Sequence, residues 1–296
     1  MIAALIVLSI LAFSGPERLP VVVSTDCGAE VDDQWAITHL ALSPRIDLKG
    51  IVTTHAPGLK PIDAAKVARD LFEKFGRQPP PILAGSSEPL GADGKPRDNA
   101  GVRFLLAAAK GRSGDDRLTV IMIGAATDVA SALLLDPSWK DRVTIVAMAF
   151  DGWPEGGDPW NVKNDVKAWQ VVMASSVPLI VGDARVTRRH LLHTPETARK
   201  AIGGDSLGSK YLCAILERWI ADNPKLVEEA SGKPGHWPIW DEVTVAYLLG
   251  MTTSEERPRP VLRDDRTLDH TQPHGTIRWI TTIDSDRLWA DLAGQL

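Results

Sequence analysis

VVVSTDCGAEVDDQWAITHLAL, residues 21–42, is the stretch around which the chain is organised. Its first three residues, Val21–Val23, are β-branched and follow Pro20, which predicts a short buried strand. From residue 34 onward, apolar side chains recur at helical spacing and predict a helix. A strand, a loop and a helix in this order form the repeating unit of open α/β sheets, which bind ligands at the carboxyl ends of their strands.

The loop between the predicted strand and helix carries four acids, Asp26, Glu30, Asp32 and Asp33, around Gly28. Like charges at this density repel, so their burial requires either protonation or a bound cation. Several carboxylate oxygens suit a hard cation, Ca²⁺ or Mg²⁺, better than zinc. The alternative is a solvated acidic turn that caps the following helix.

The composition is that of a globular protein with a large core. The chain has 296 residues, of which 44% are hydrophobic and 24% are charged. A net charge of −5 argues against nucleic acid or an anionic membrane as the main partner. The two cysteines, Cys27 and Cys213, form neither a disulfide framework nor a metal-binding spacing.

The N-terminus resembles a signal peptide. An uncharged apolar run at residues 2–13 is too short to span a bilayer and precedes Ser14-Gly15-Pro16. We therefore expect residues 1–17 to be removed and the mature protein to be secreted or periplasmic, with no stable membrane span. The run lacks the usual Lys or Arg ahead of it, so the alternative is a buried N-terminal strand or helix in a cytoplasmic protein.

Strands and helices alternate through two-thirds of the chain, which predicts an α/β fold with a mostly parallel, doubly wound sheet. Residues 18–296 are expected to form one domain with a helical insertion in the C-terminal third. We also expect residues 261–262 to pair with 276–283 as an antiparallel edge. The predicted strands after the first lie at 48–54, 82–84, 118–123, 143–148 and 179–181. The predicted helices after the first lie at 61–75, 101–110, 127–135, 166–175, 207–222, 241–249 and 287–292.

The acidic loop resembles the N-terminal signature of the inosine-uridine-type nucleoside hydrolases, Asp-x-Asp-x-Gly-x-Asp-Asp. Here Ser24 takes the place of the first Asp, and two residues are added between Gly28 and the Asp pair. The resemblance extends over roughly residues 20–290, since three further stretches resemble the family in the expected order. They are TVIMIGAATDVASALLLDP at 119–137, Trp-Asn-Val at 160–162 and Pro-Ile-Trp-Asp at 238–241.

The resemblance implies the nucleoside hydrolase fold and calcium-dependent hydrolysis of an N-glycosidic bond, with a nucleoside or similar N-riboside as substrate. It assigns Asp26 as calcium ligand and general base. Asp32 and Asn161 would bind the ribose hydroxyls. The remaining calcium ligands would be Asp33, the backbone carbonyl of Ile123, and Asp241. Without the resemblance, Asn161 and Asp241 could equally cap a turn and a helix.

The departures from the family pattern concern the leaving base. Trp240 occupies the position of the histidine that protonates the base in many members, and it could stack on a base or close the pocket. Asp158 could replace the acid expected near Asn161. His55 follows a strand and could contact the leaving group, although a hydrogen-bonded loop histidine is the alternative. The basic stretch at 185–190 is interpreted as a solvated helix start.

Two other functions are compatible with these residues. One is a secreted, non-catalytic nucleoside- or ribose-binding relative that keeps the metal site; Trp240 favours it, and the retention of Asp26 counts against it. The other is a Mg²⁺-dependent phosphatase, which expects a second Asp where Gly28 stands. Family members often form dimers or tetramers, so a homo-oligomer is compatible with the resemblance, although nothing in the chain marks an interface.

Overall fold

The computed structural model describes residues 18–91, 93–158 and 160–296. The signal-peptide prediction falls on residues 1–17, outside the described residues, and stays a prediction. Within the described ranges, none of the helices combines the length and the apolar character needed to cross a membrane.

Strands and helices alternate along the described chain from residue 19 to residue 193 and follow no regular alternation after that. The strands are β1 Leu19–Thr25, β2 Ile46–Thr53, β3 Ile82–Ala84, β4 Leu118–Ile123, β5 Val143–Met148, β6 Leu179–Gly182, β7 Leu192–His193, β8 Trp237–Pro238, β9 Thr252–Pro258, β10 Val261–Leu262, β11 Leu268–Asp269 and β12 Thr276–Ile283. The helices are α1 Asp32–Leu42, α2 Pro61–Lys74, α3 Ala100–Ala108, α4 Thr127–Leu135, α5 Asn161–Asn164, α6 Val166–Ala174, α7 Ala184–His190, α8 Pro195–Ile202, α9 Leu207–Asp222, α10 Pro224–Ser231, α11 Glu242–Leu248 and α12 Ser285–Gln295.

The central sheet has the strand order β3-β2-β1-β4-β5-β6-β12-β9. Each pair of neighbours from β3 to β12 is parallel, and β12 and β9 are antiparallel. The α/β fold with a mostly parallel sheet is therefore confirmed. The direction of winding reverses between β1 and β4, and such a reversal opens a crevice at the carboxyl ends of the two strands.

The predicted antiparallel edge is wrong in its pairing. β12, at Thr276–Ile283, pairs with β9, at Thr252–Pro258, whereas Val261–Leu262 pairs with Leu268–Asp269. The sequence of β9, TTSEERP, is polar and largely exposed, as is common for an edge strand. Hydrophobic alternation could not identify it.

Both faces of the sheet are covered, because side chains alternate between the faces along each strand. Val21 and Val23 of β1 join one core, which packs against α1, α2, α9, α11 and α12. Val22 points to the opposite face and joins the core formed with α3, α4 and α6. The predicted helical insertion, α8 to α10, adds buried residues such as Leu212 and Val227 to the first core.

Candidate active site

The acidic loop lies where β1 ends. Asp26 directly follows β1, and Asp32 and Asp33 form the first turn of α1, where negative charge is favourable. All three carboxyl groups are buried, with 2–3% of each residue exposed. The hydroxyl of Thr25 donates a hydrogen bond to Asp33 Oδ1. The loop is therefore held in place by the strand and is not a solvated turn.

Asp241 joins this group from the far end of the chain, immediately before α11. One carboxylate oxygen from each of Asp32, Asp33 and Asp241 lies within 4.8 Å of the others. Ile123, the last residue of β4, pairs with Thr25 of β1 and lines the same cavity. Three buried carboxylates beside a strand end form a candidate metal centre of oxygen ligands.

The charges of this cluster favour a bound cation. Burial, followed by the charge of Asp32, raises the pKa of both Asp33 and Asp241 well above the usual value. Burial raises the pKa of Asp32 to about 7. Its Oδ1 atom is buried without a hydrogen-bond partner among the described residues. A divalent cation would supply the missing positive charge, and clustered carboxylate oxygens are ligands of hard cations, so the residues fit a metal.

Asp26 lies beside the three-carboxylate cluster in the same cavity, but outside that closest group. Its Oδ2 atom accepts a hydrogen bond from Nε1 of Trp160 at 3.1 Å. Burial and then the charge of Asp33 raise the pKa of Asp26. Gly124 permits the close approach of the two strand ends, because a Cβ there would lie 2.7 Å from the amide nitrogen of Asp26. A buried carboxylate with one fixed donor is well suited to accept a proton.

Asp158 lies in the loop after β5, and Asn161 is the first residue of α5, which follows that loop. The side-chain nitrogen of Asn161, Nδ2, donates a hydrogen bond to the backbone carbonyl of Met148 at 3.0 Å. The Oδ1 atom of Asn161 is buried and has no partner within the described chain. Asp158 lines the cavity, but its oxygens accept backbone N–H bonds from Phe150, Trp160 and Val162. Asn161 therefore offers an acceptor to a ligand, and Asp158 holds the loop.

These residues surround one cavity of about 420 Å³, a size typical of sites for small molecules. The cavity brings together all but one of the residues predicted to form the site. They are Asp26, Asp32, Asp33, Ile123, Asp158, Asn161, Trp240 and Asp241.

His55 is the exception. Its Nε2 atom lies 3.1 Å from the hydroxyl of Thr127, which in turn donates to Asp165 at 2.7 Å. The loop after β2 thus directs this histidine against the start of α4, and it is not among the residues that line the cavity. His55 is therefore placed as a hydrogen-bonded loop histidine, which is the alternative that the sequence analysis gave.

The structure also identifies an outer wall of the cavity, which we define as Asp151, Arg188, Glu229, Trp237 and Trp240. The Arg188 guanidinium carbon lies 5.3 Å from the centre of the Trp240 ring, and its Nε atom donates to a backbone carbonyl of α10 at 2.7 Å. Trp237 packs edge-to-face on Trp240, with ring centres 5.7 Å apart.

Sequence reasoning missed most of this wall. The solvated-helix interpretation of residues 185–190 is incomplete, because Arg188 faces the cavity. The helix that carries Arg188, α7, begins two residues after the parallel strand β6, and helices in this position border the ligand-binding edge of such sheets. This position is the signal that could have identified Arg188. Trp160 and Glu30 also line the cavity, although the sequence analysis gave neither of them a role of its own.

A switch-point cavity with a buried carboxylate cluster defines an α/β protein with a candidate metal-dependent active site. The chain belongs to the family described as inosine-uridine preferring nucleoside hydrolase, whose family model matches residues 21–290. It is therefore a hydrolase acting on N-glycosyl compounds, and family and fold together support hydrolysis of the N-glycosidic bond of ribonucleosides.

Known proteins resemble the chain over most of its length. It is 26% identical to a probable uridine nucleosidase 2 of Arabidopsis thaliana, over 81% of both chains. It is 25% identical to the pyrimidine-specific ribonucleoside hydrolase RihA of Escherichia coli, over 78% of this chain and 79% of that one. The solved structure of a plant nucleoside hydrolase, PpNRh1, has the same fold, with a TM-score of 0.77, 19% identity, and coverage of 94% of this chain and 99% of its own.

Proposed function

We propose that the protein hydrolyses the N-glycosidic bond of a ribonucleoside or similar N-riboside in a calcium-dependent reaction that releases ribose and the free base. The observation that carries the proposal is the joint presence, in one cavity, of three clustered carboxylates and two buried acceptors that have no partner among the described residues. Those acceptors are Asp32 Oδ1 and Asn161 Oδ1. The carboxylate cluster suits a cation, and the two acceptors suit the ribose hydroxyls.

Calcium is supported by the type and number of oxygen ligands. Asp26, Asp33, Asp241 and the carbonyl of Ile123 would hold the ion, with ribose hydroxyls and water completing the six to eight oxygens that Ca²⁺ takes. When bound, the ion supplies charge that acidifies a water molecule and orients the sugar.

The protein residues would then perform the proton transfer and the orientation of the sugar. The Asp26 carboxylate takes a proton from the water molecule as the water oxygen attacks C1′ of the ribose, in a transition state with oxocarbenium character. The C1′–N bond breaks, its electron pair leaves on the nitrogen of the base, and a neutral base takes up a proton from solvent. The hydrogen bond from Trp160 fixes the position of that carboxylate. The Oδ1 atom of Asn161 accepts a hydrogen bond from a ribose hydroxyl, because the side-chain nitrogen already donates to the carbonyl of Met148.

The test is ribose release from a panel of purine and pyrimidine ribonucleosides, with and without EDTA. Asp26→Asn should lower kcat/KM by about 10²–10⁴, the usual contribution of general acid–base catalysis. Asp63→Asn, on an exposed helix position, is the matched control and should leave the rate unchanged. Calcium and ribose binding without any N-riboside cleavage would instead favour the non-catalytic nucleoside-binding relative, which the Trp at position 240 favours.

We also propose export, on the basis of the apolar run at residues 2–13. Expression of the full chain in a bacterium should yield a product whose mass lacks about the first 17 residues. An intact N-terminus in the cytoplasm would contradict export.

A further inference from the structure

The outer wall offers little that could protonate a leaving base. Among the described residues, none of the histidines, lysines, tyrosines or cysteines lines the cavity. An indole N–H and a guanidinium do not give up protons near neutral pH, so Trp240 and Arg188 cannot act as general acids. Asp151 faces Arg188, with 3.6 Å between its Oδ1 and the guanidinium. Glu229 is exposed at the mouth of the cavity.

The lining of the cavity is rich in acidic residues. Eight of its lining residues are acidic, whereas Arg188 is the only basic residue among the described ones. Four of the eight belong to the proposed metal site or lie beside it, and four do not: Glu30, Asp151, Asp158 and Glu229. Since a cleft lined by charge of one sign concentrates ligands of the opposite sign, the cavity favours a cationic substrate.

Aromatic rings on the outer wall provide a second, independent indication. The face of Trp240 already holds one planar cation, the Arg188 guanidinium, at 5.3 Å. Trp237 is fully buried, and its Nε1 has no hydrogen-bond partner in the described part of the chain. Among aromatic side chains, the indole ring of Trp attracts cations most strongly. The Nε1–H group of Trp237 could donate a hydrogen bond to an oxygen substituent on a planar cationic ring.

We propose that the preferred substrate carries a permanently cationic leaving group, namely an N-ribosyl pyridinium, and that neutral purine and pyrimidine nucleosides are poorer substrates. This inference rests on the function proposed above. Water attacks C1′ through its oxygen, and the C1′–N bond breaks with its electron pair passing to nitrogen. The pyridinium thus leaves as a neutral pyridine, the proton of the water passes to Asp26 and then to solvent, and no proton donor to the leaving group is required.

The experiment compares nicotinamide riboside, its neutral 1,4-dihydro form, uridine and inosine with the calcium-loaded protein. The kcat/KM for the cationic riboside should exceed those for the neutral compounds by about 10²–10⁴, the range that a missing general acid represents. Equal or faster cleavage of inosine or uridine would overturn the inference and leave the hydrolase intact. Cleavage of none of the compounds would overturn the proposed function, and the inference with it.

Two variants test the wall directly. Glu229→Gln should raise KM for nicotinamide riboside about two- to five-fold at low salt, as expected for one exposed charge, and raise KM for inosine by a smaller factor. Glu228→Gln, exposed on the same helix but outside the cavity, is the control. An equal change for both substrates, or in both variants, would contradict the charge argument.

Trp240→His should raise the rate for inosine without raising that for the pyridinium riboside, because only the neutral base needs a proton. Circular dichroism and calcium titration would establish that this variant folds. Trp240→Phe keeps an aromatic ring without a donor and should not raise the inosine rate. An inosine rate that rises equally in both variants would contradict the absence of a general acid.

Discussion

Trp160→Phe removes one hydrogen bond from the proposed base and keeps an aromatic ring in place. The bond runs from Nε1 to Asp26 Oδ2 over 3.1 Å, and Asp26 is 2% exposed, so water cannot replace it freely. A hydrogen bond to a charged group contributes about 1.5–3 kcal/mol. If that energy is lost in the transition state, kcat/KM falls by about 10- to 150-fold.

The assay is the initial rate of ribose release over a range of substrate concentrations at saturating calcium. We expect the loss to appear mainly in kcat, since the proposed ribose contacts of Asp32 and Asn161 would remain. Thermal unfolding of the variant should remain close to that of the parent. Trp153→Phe, on the same loop but outside the cavity, is the control for removal of an indole. An unchanged kcat/KM in Trp160→Phe, or the same loss in Trp153→Phe, would refute the role of this bond.

Three further outcomes follow from the structure. At a free calcium concentration about 100 times Kd, the free energy of unfolding should rise by about 2.7 kcal/mol, as measured by thermal unfolding. Asp33→Asn should abolish this rise, and an equal rise in the parent and the variant would contradict the metal centre. Gly124→Ala should reduce ribose release more than it lowers Tm, because the added Cβ would displace Asp26. Burial lowers the pKa of His39, but the carboxylates of Glu242 and Asp291 outweigh it and raise the pKa to about 9. The stabilisation from this raised pKa, about 3 kcal/mol at most, is complete below pH 6.5 and lost as pH rises through 9. Urea unfolding of the parent and His39→Gln should therefore converge at high pH, and a constant difference would contradict this assignment.

The half of the site proposed to bind metal and ribose could be located from the sequence because its residues lie next to regular elements. Asp26, Asp32 and Asp33 are fixed by the β-branched run of β1 and the apolar spacing of α1. Asp241 and Ile123 likewise lie at the end of an element whose pattern is clear. The family resemblance then supplied roles that residue spacing alone leaves open.

The half of the site that faces the leaving group could not be predicted in the same way. Arg188 and Glu229 are polar residues on short helices, and no periodicity distinguishes a cavity-facing polar residue from a solvated one. The insertion of α8–α10, which brings Glu229 to the mouth, is positioned by tertiary packing of residues such as Leu212 and Val227. Similarly, the polar strand β9 forms because β12 offers it an edge, not because its own sequence is strand-like.

The proposed metal ligands come from distant parts of the chain, and this separation has a consequence for folding. Asp33 follows the first strand, whereas Asp241 precedes the eleventh helix, and strands β2 to β6 of the parallel sheet lie between them in sequence. Contacts of such long sequence range form late and slowly. We therefore expect calcium to bind and stabilise the completely folded chain, and not partly folded or C-terminally truncated forms, in which these ligands have not come together.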